Sequence, residues 1–192
     1  SISYTWNGGA EGVWDYETPC WNDPAVPFQP GLDAQFDSSA TVAVKGEIVA
    51  GQVTVSTGNE VTLTEGEDGY LTAAGLTVEG TLNTAVTVEA DSYTIAQGGT
   101  WNIQGDYIVS NCTATGAQQT PITFSGDRVQ VYSNANPRTE TWGVVTVNKM
   151  GGKLVLASDF CVTNDATCNG CRIRLLDRRY FHHHSRGQEY HH

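Results

Sequence analysis

The residues with the richest chemistry lie near the C-terminus. Cys168-Asn169-Gly170-Cys171 is a Cys-x-x-Cys, with Cys161 seven residues before it. All five histidines, His182, His183, His184, His191 and His192, fall in the last eleven residues. Thiolates and imidazoles grouped in this way can form a tetrahedral zinc site, which makes Cys168, Cys171, His182 and His184 candidate ligands. A disulfide among Cys161, Cys168 and Cys171 is the simpler use of the same sulfurs in an exported protein. Arg172 stands where haem attachment would need His, so no cofactor is expected there. Cys20 and Cys112 complete the set of five cysteines.

With every histidine in the tail, the body of the chain has no imidazole base and no His-dependent triad. It also lacks a Gly-x-Ser-x-Gly elbow, a P-loop and a dinucleotide fingerprint. Carboxylate pairs are the remaining route to catalysis, and Asp91, Asp106 and Asp127 are the candidates for polysaccharide cleavage. Each stands in turn-like surroundings and reads more simply as a solvated turn acid. No catalytic residue is assigned, and no enzyme is expected. Trp6, Trp14 and Trp21 could stack on sugar rings, against packing beneath a cap. Asp15, Asp23, Asp33 and Asp37 could offer oxygens to Ca²⁺, but their spacing follows no EF-hand loop, and turn capping is the simpler role.

Short strands must position these residues. Between 39 and 165 the chain repeats a triplet of two apolar residues around a small polar one. Seven instances have Thr at the centre: Val53-Thr54-Val55, Val61-Thr62-Leu63, Leu76-Thr77-Val78, Val86-Thr87-Val88, Tyr93-Thr94-Ile95, Ile122-Thr123-Phe124 and Val145-Thr146-Val147. Val129-Gln130-Val131 and Leu154-Val155-Leu156 fit the outer positions. Alternation along a strand turns the apolar pair inward and the central residue outward. Gly-rich turns such as Gln97-Gly98-Gly99 separate the triplets. No stretch carries helical periodicity. Ala50-Gly51-Gln52-Val53-Thr54-Val55 resembles Ala74-Gly75-Leu76-Thr77-Val78 at an offset of about 23 residues, a period that indicates a solenoid. The expected fold is all-β: a short parallel β-solenoid of five to six coils over 39–165. Residues 1–38, rich in Trp, Phe and Pro, form an N-terminal cap, because a solenoid end needs closing. Residues 166–192 form a Cys-, Arg- and His-rich tail.

The charge is divided unequally. Residues 1–171 hold 19 acids against five bases, and residues 172–192 hold five Arg against two acids, for a total of −11. An acidic body excludes a nucleic-acid partner, whose phosphates need a basic face. No apolar run approaches the length of a membrane-spanning helix, so no membrane insertion is expected. The opening Ser1-Ile2-Ser3 fits a mature secreted product, and the expected location is secreted or cell surface.

Tyr4-Thr5-Trp6-Asn7-Gly8-Gly9, then Trp14, Cys20-Trp21-Asn22 and Pro30-Gly31-Leu32-Asp33-Ala34-Gln35-Phe36-Asp37, form a recognisable opening. It resembles that of bacterial surface proteins with autotransporter-associated β-strand repeats, over residues 4–90 and more loosely over 120–165. The resemblance implies a parallel β-helix on, or released from, a cell surface, structural or adhesive, with no shared catalytic residues. Cys20 departs from the pattern, and the tail has no counterpart in it.

The resulting expectation is a non-catalytic extracellular solenoid that self-assembles into a filament or surface layer. The tail strand Arg172-Ile173-Arg174-Leu175 would either close its own stack or add to a neighbouring chain. The expected partners are a second copy or an extracellular polysaccharide. Two alternatives stand beside it: a carbohydrate-binding or polysaccharide-cleaving β-helix, and an ice-binding solenoid using the outward Thr row.

Overall fold

A computed structural model describes residues 3–109, 122–135, 141–142, 145–158, 160–162, 166–169, 173–175 and 181–183. Among the described residues the chain is all β, with no helix. The strands are β1 Ser3–Thr5, β2 Glu11–Trp14, β3 Asp33–Phe36, β4 Ala40–Val44, β5 Glu47–Val55, β6 Glu60–Glu65, β7 Tyr70–Val78, β8 Thr81–Thr84, β9 Thr87–Ile95 and β10 Thr100–Ile103. They continue as β11 Tyr107–Val109, β12 Ile122–Gly126, β13 Val129–Asn134, β14 Thr141–Trp142, β15 Val145–Lys149, β16 Lys153–Leu156, β17 Phe160–Val162, β18 Ala166–Asn169, β19 Ile173–Leu175 and β20 Phe181–His183.

Every strand pair is parallel and joins one coil to the next. Nine strands form one sheet in the order β1-β3-β5-β7-β9-β11-β13-β16-β19. Eight form a second, β18-β15-β12-β10-β8-β6-β4-β2, and β14-β17-β20 form a third. This is a parallel β-solenoid. Within 39–165 each of the two large sheets contributes six strands, in line with the coil number expected from the repeat. Successive register partners lie 30, 19, 23, 17, 19, 25, 24 and 19 residues apart. The wall of the stack stays in register while the turns absorb these differences in length.

The triplets explain the wall. Val53 and Val55, Val61 and Leu63, Leu76 and Val78, and Tyr93 and Ile95 are all buried, while Thr54, Thr62, Thr77 and Thr94 lie on the outer face. The nine-residue strands β5, β7 and β9 do one thing more. Two residues, rather than one, separate the inward pairs Ala50 and Val53, Ala73 and Leu76, and Ala90 and Tyr93. The ladder skips Gly51, Ala74 and Asp91 at these points, so the strand turns a corner without leaving its sheet. Alanine is the inward residue on the N-terminal side of each bend.

One triplet is oriented the other way. Val129-Gln130-Val131 was expected to bury its valines, yet Gln130 is fully buried and Val129 is 55% exposed. The strand's register is set by Tyr132, which stacks on Tyr107 of the preceding coil with ring centroids 5.1 Å apart. Alternation then forces Gln130 and Asn134 inward with Tyr132. Gln130 is accommodated because Nε2 donates to the carbonyls of Ile103 (2.7 Å) and Gly105 (2.9 Å).

The interior has two aromatic centres. Trp6, Trp14, Trp21, Phe28 and Phe36 fill the first coil, and Tyr93, Trp101, Tyr107, Phe124 and Tyr132 fill the coils from β9 to β13.

Candidate functional site

The first coil is the most elaborated part of the chain. It is 30 residues long because the segment 15–32 folds back over the end of the stack. Trp21 bridges Trp6 and Val26 in antiparallel fashion, the reverse of every ladder in the body. Asn22 adopts a left-handed φ of 63°, a conformation that Asn tolerates better than most residues. From there its side-chain Oδ1 accepts the Thr5 amide at 2.8 Å, while its own amide donates to the Thr5 carbonyl at 2.7 Å. Both outward backbone groups of Thr5 are thereby satisfied, which closes β1 at this residue. The first half of β5, which has no strand before it, is closed likewise. The Val49 amide donates to the Tyr16 hydroxyl at 2.7 Å, and the Val49 carbonyl accepts the Gly31 amide at 2.9 Å.

Trp6, Trp14 and Trp21 are 4%, 0% and 0% exposed. Their faces are occupied by one another and by Phe28 and Phe36, with ring centroids 4.9–5.9 Å apart. The sugar-platform role is therefore corrected, since no indole face is open for stacking. The physical reason is the stack's end: a terminal coil has a neighbour on one side only, and large rings cover what the missing coil would have covered. Cys20, next to this cluster, is a buried free thiol.

The acids considered for Ca²⁺ have local duties. Asp15 Oδ1 accepts the amides of Glu17 (3.0 Å) and Thr18 (2.7 Å), and Oδ2 accepts the Thr18 hydroxyl. Burial pushes the Asp15 carboxyl up, but these bonds and the Lys45 charge outweigh it and hold the carboxyl below its ordinary value. Asp33 accepts the Gln52 amide at the bend of β5 (2.8 Å). Asp37 accepts Ser56 and Gln35, and these two bonds lower its pKa. Among the described residues no group of three or more His, Cys, Asp and Glu is placed to hold a metal ion. An open hollow beside the first coil is lined by Asp15, Glu17, Lys45, Glu67 and Asp68 among others.

The three catalytic candidates occupy different parts of the coil path. Asp91 lies at the bend of β9, whereas Asp106 and Asp127 occupy the turns after β10 and β12. Asp106 accepts the Val131 amide at 2.9 Å, a structural bond between coils.

The outer faces carry columns of polar residues in register. On the eight-stranded sheet, Thr41, Thr62, Asn83, Asn102, Thr123 and Thr146 are successive partners. Asn102 Nδ2 donates to Asn83 Oδ1 (2.8 Å), and Asn83 Nδ2 donates to Thr62 Oγ1 (3.1 Å) and Glu60 Oε2 (3.2 Å). Gln52 Nε2 donates to Thr77 on the nine-stranded sheet (2.6 Å), and Gln35 Nε2 to Ser56 (2.9 Å). The Tyr70 hydroxyl donates to Glu89; burial first, and then this bond, push its pKa up to about 12. Arg128 reaches back along one edge to Glu65 and the Ala85 carbonyl. Sequence reading saw the Thr row but missed the Asn and Gln bonds within it, whose partners lie some twenty residues away.

Lys149 is the other residue that sequence reading missed. It is 2% exposed, and its Nζ donates to Gln130 Oε1 (2.6 Å) and the Ser125 carbonyl (3.2 Å). Burial lowers its pKa to about 8, with Asp127 raising it and Arg128 lowering it further.

In the tail, backbone placement alone is described. Cys161 lies in β17, Cys168 in β18 and His182 in β20. Cys171, Arg172 and His184 lie outside the described residues, as do the side chains on which the disulfide and zinc expectations depend. Ile173, Arg174 and Leu175 form β19, which pairs in parallel with β16 of the same chain. No protein-family model matches the chain, and no curated protein or solved structure matches it.

Proposed function

We propose that the chain is a non-catalytic structural or adhesive solenoid that acts outside the cell and associates with further copies of itself. The observation that carries this reading is the use made of the polar side chains on the walls. Gln35, Gln52, Asn83 and Asn102 each bond to a residue of a neighbouring coil, so the exterior chemistry serves to hold one coil on the next. Ladders of this kind add to the backbone pairing along the whole stack. The resemblance of the opening residues to repeat-bearing bacterial surface proteins supports a place at a cell surface. The acidic body argues against nucleic acid as a partner.

The test is incubation of the purified chain with a panel of acidic and neutral polysaccharides. New reducing ends and unsaturated products are followed over a day. The expected result is no product above a boiled control. Steady product release that Asp106→Asn or Asp127→Asn abolishes would overturn the reading in favour of a polysaccharide-cleaving β-helix.

A further inference from the structure

We propose that the outer edge of β2 accepts the C-terminal end of a second copy by strand addition, continuing the eight-stranded sheet from one molecule into the next. The proposal rests on the self-associating structural reading and names the surface that would carry it.

Three strand edges face the N-terminal end of the stack: β1, the first half of β5, and β2. Asn22 closes the first at Thr5, and Tyr16 with Gly31 closes the second at Val49. The third is different. The Thr41 amide donates to the Ala10 carbonyl and the Lys45 amide to the Trp14 carbonyl, so residues 10, 12 and 14 direct their backbone groups at β4. By the alternation of a parallel strand, Glu11 and Val13 direct theirs away from β4, at the free edge. Among the described residues no hydrogen-bond partner meets them there. Glu11 is exposed, and Gly12 and Val13 are half-buried. Proteins generally blunt such edges, and this one blunts two of three.

The occupant is identified by direction and charge. A strand that continues this sheet must run parallel to β2, as every neighbour in the sheet does. The last strand of the same sheet is β18, at the opposite end of the stack. Residues 1–38 carry six acids (Glu11, Asp15, Glu17, Asp23, Asp33 and Asp37) and no base, whereas residues 172–192 carry five Arg against two acids. An acidic first coil therefore meets a basic last segment. The contact is head to tail and does not close on itself, so repetition yields a filament whose growth is favoured at low salt.

The experiment uses the full chain and Val13→Pro. Proline at residue 13 removes an outward N–H while sparing the bonds that residues 12 and 14 make to β4, and proline is tolerated on edge strands. Light scattering against concentration, at low and high salt, is read beside negative-stain images. The wild-type mass is expected to rise with concentration into rods, more at low salt. Val13→Pro, with an unchanged melting temperature, should raise the association midpoint by about tenfold or more. If Val13→Pro is poorly folded, Glu11→Lys replaces it and should weaken association at low salt and much less at high salt. Association of a folded Val13→Pro or Glu11→Lys chain at the wild-type concentration would overturn the proposal. So would a wild-type chain that stays monomeric at every concentration and salt. Either result leaves the non-catalytic reading standing, since that falls only to polysaccharide turnover.

Discussion

The two aromatic centres of the solenoid are built from similar residues and solve different problems. In the first coil, Trp14 and Phe36 come from strands, Trp6 follows β1, Trp21 and Phe28 come from the irregular segment, and all five pack on one another. The indole N–H groups of Trp14 and Trp21 are buried with no hydrogen-bond acceptor. In the later coils, Tyr93, Trp101, Tyr107, Phe124 and Tyr132 come from strands, one coil after another, and polar groups are buried among them. Trp101 Nε1 donates to Thr84 Oγ1 at 3.1 Å, and Gln130 and Lys149 lie in the same interior. Closing an end asks only for apolar area, so unpaired N–H groups are tolerated in exchange for large rings. Filling a coil that has neighbours on both sides keeps its backbone carbonyls within reach, and buried polar side chains can be satisfied there.

The largest effect should come from Trp21→Ala. It removes the ring that touches Trp6, Trp14, Phe28 and Phe36 at once, and loosens Asn22 beside it. A loss of about 3–5 kcal/mol is expected in urea unfolding, with aggregation as the β1 edge opens. A loss under about 1 kcal/mol would show that the end cluster does not close the stack.

Lys149 tests the polar interior. Its pKa is about 8 in the folded chain against 10.5 for the free side chain, so the unfolded chain binds more protons between these values. Stability should therefore rise with pH from about 8 to 10.5 through this group. Tyr70 acts in the opposite sense above pH 10, because its pKa is raised. The comparison is therefore made with Lys149→Met. The unfolding free energy of the wild-type chain should rise relative to that of Lys149→Met as pH climbs through this window. A constant difference would mean that the amine is not desolvated.

The smallest effect separates the two centres most directly. Trp101→Phe strips Thr84 of its buried donor, whereas Trp14→Phe deletes an N–H that had no acceptor. Trp101→Phe should be the more costly by about 1–2 kcal/mol. Equal losses would remove the distinction drawn between a dry end and a polar interior.

The wall was largely legible in the sequence. Val53-Thr54-Val55 and Leu76-Thr77-Val78 carry their in-and-out pattern within three residues, because strand alternation is local. Gln130 was misread because its orientation is set by Tyr132 and by carbonyls 25 or more residues earlier in the chain. The bends at Gly51, Ala74 and Asp91 escaped notice because each interrupts that local alternation. The aromatic cap was visible as composition, but its direction was not. Nothing local to Trp6, Trp14 or Trp21 says whether an indole faces a ligand or another indole. The edge closure by Asn22 is also a matter of distance, joining residues 17 apart.

The sealed first coil also bears on the order of folding. In a stack where each coil touches only its neighbours, ordering one coil lowers the cost of ordering the next. The slow step is making the first. Here that coil carries its own covering segment, and the partners it bonds, β4 and Val49, follow directly in the chain, so its nucleus is local in sequence. A chain emerging N-terminus first would start from this seed and lengthen by accretion, one loop closure of about twenty residues at a time. The same asymmetry gives the molecule a polarity in time: it begins at its most aromatic end and adds its acidic wall turn by turn behind it.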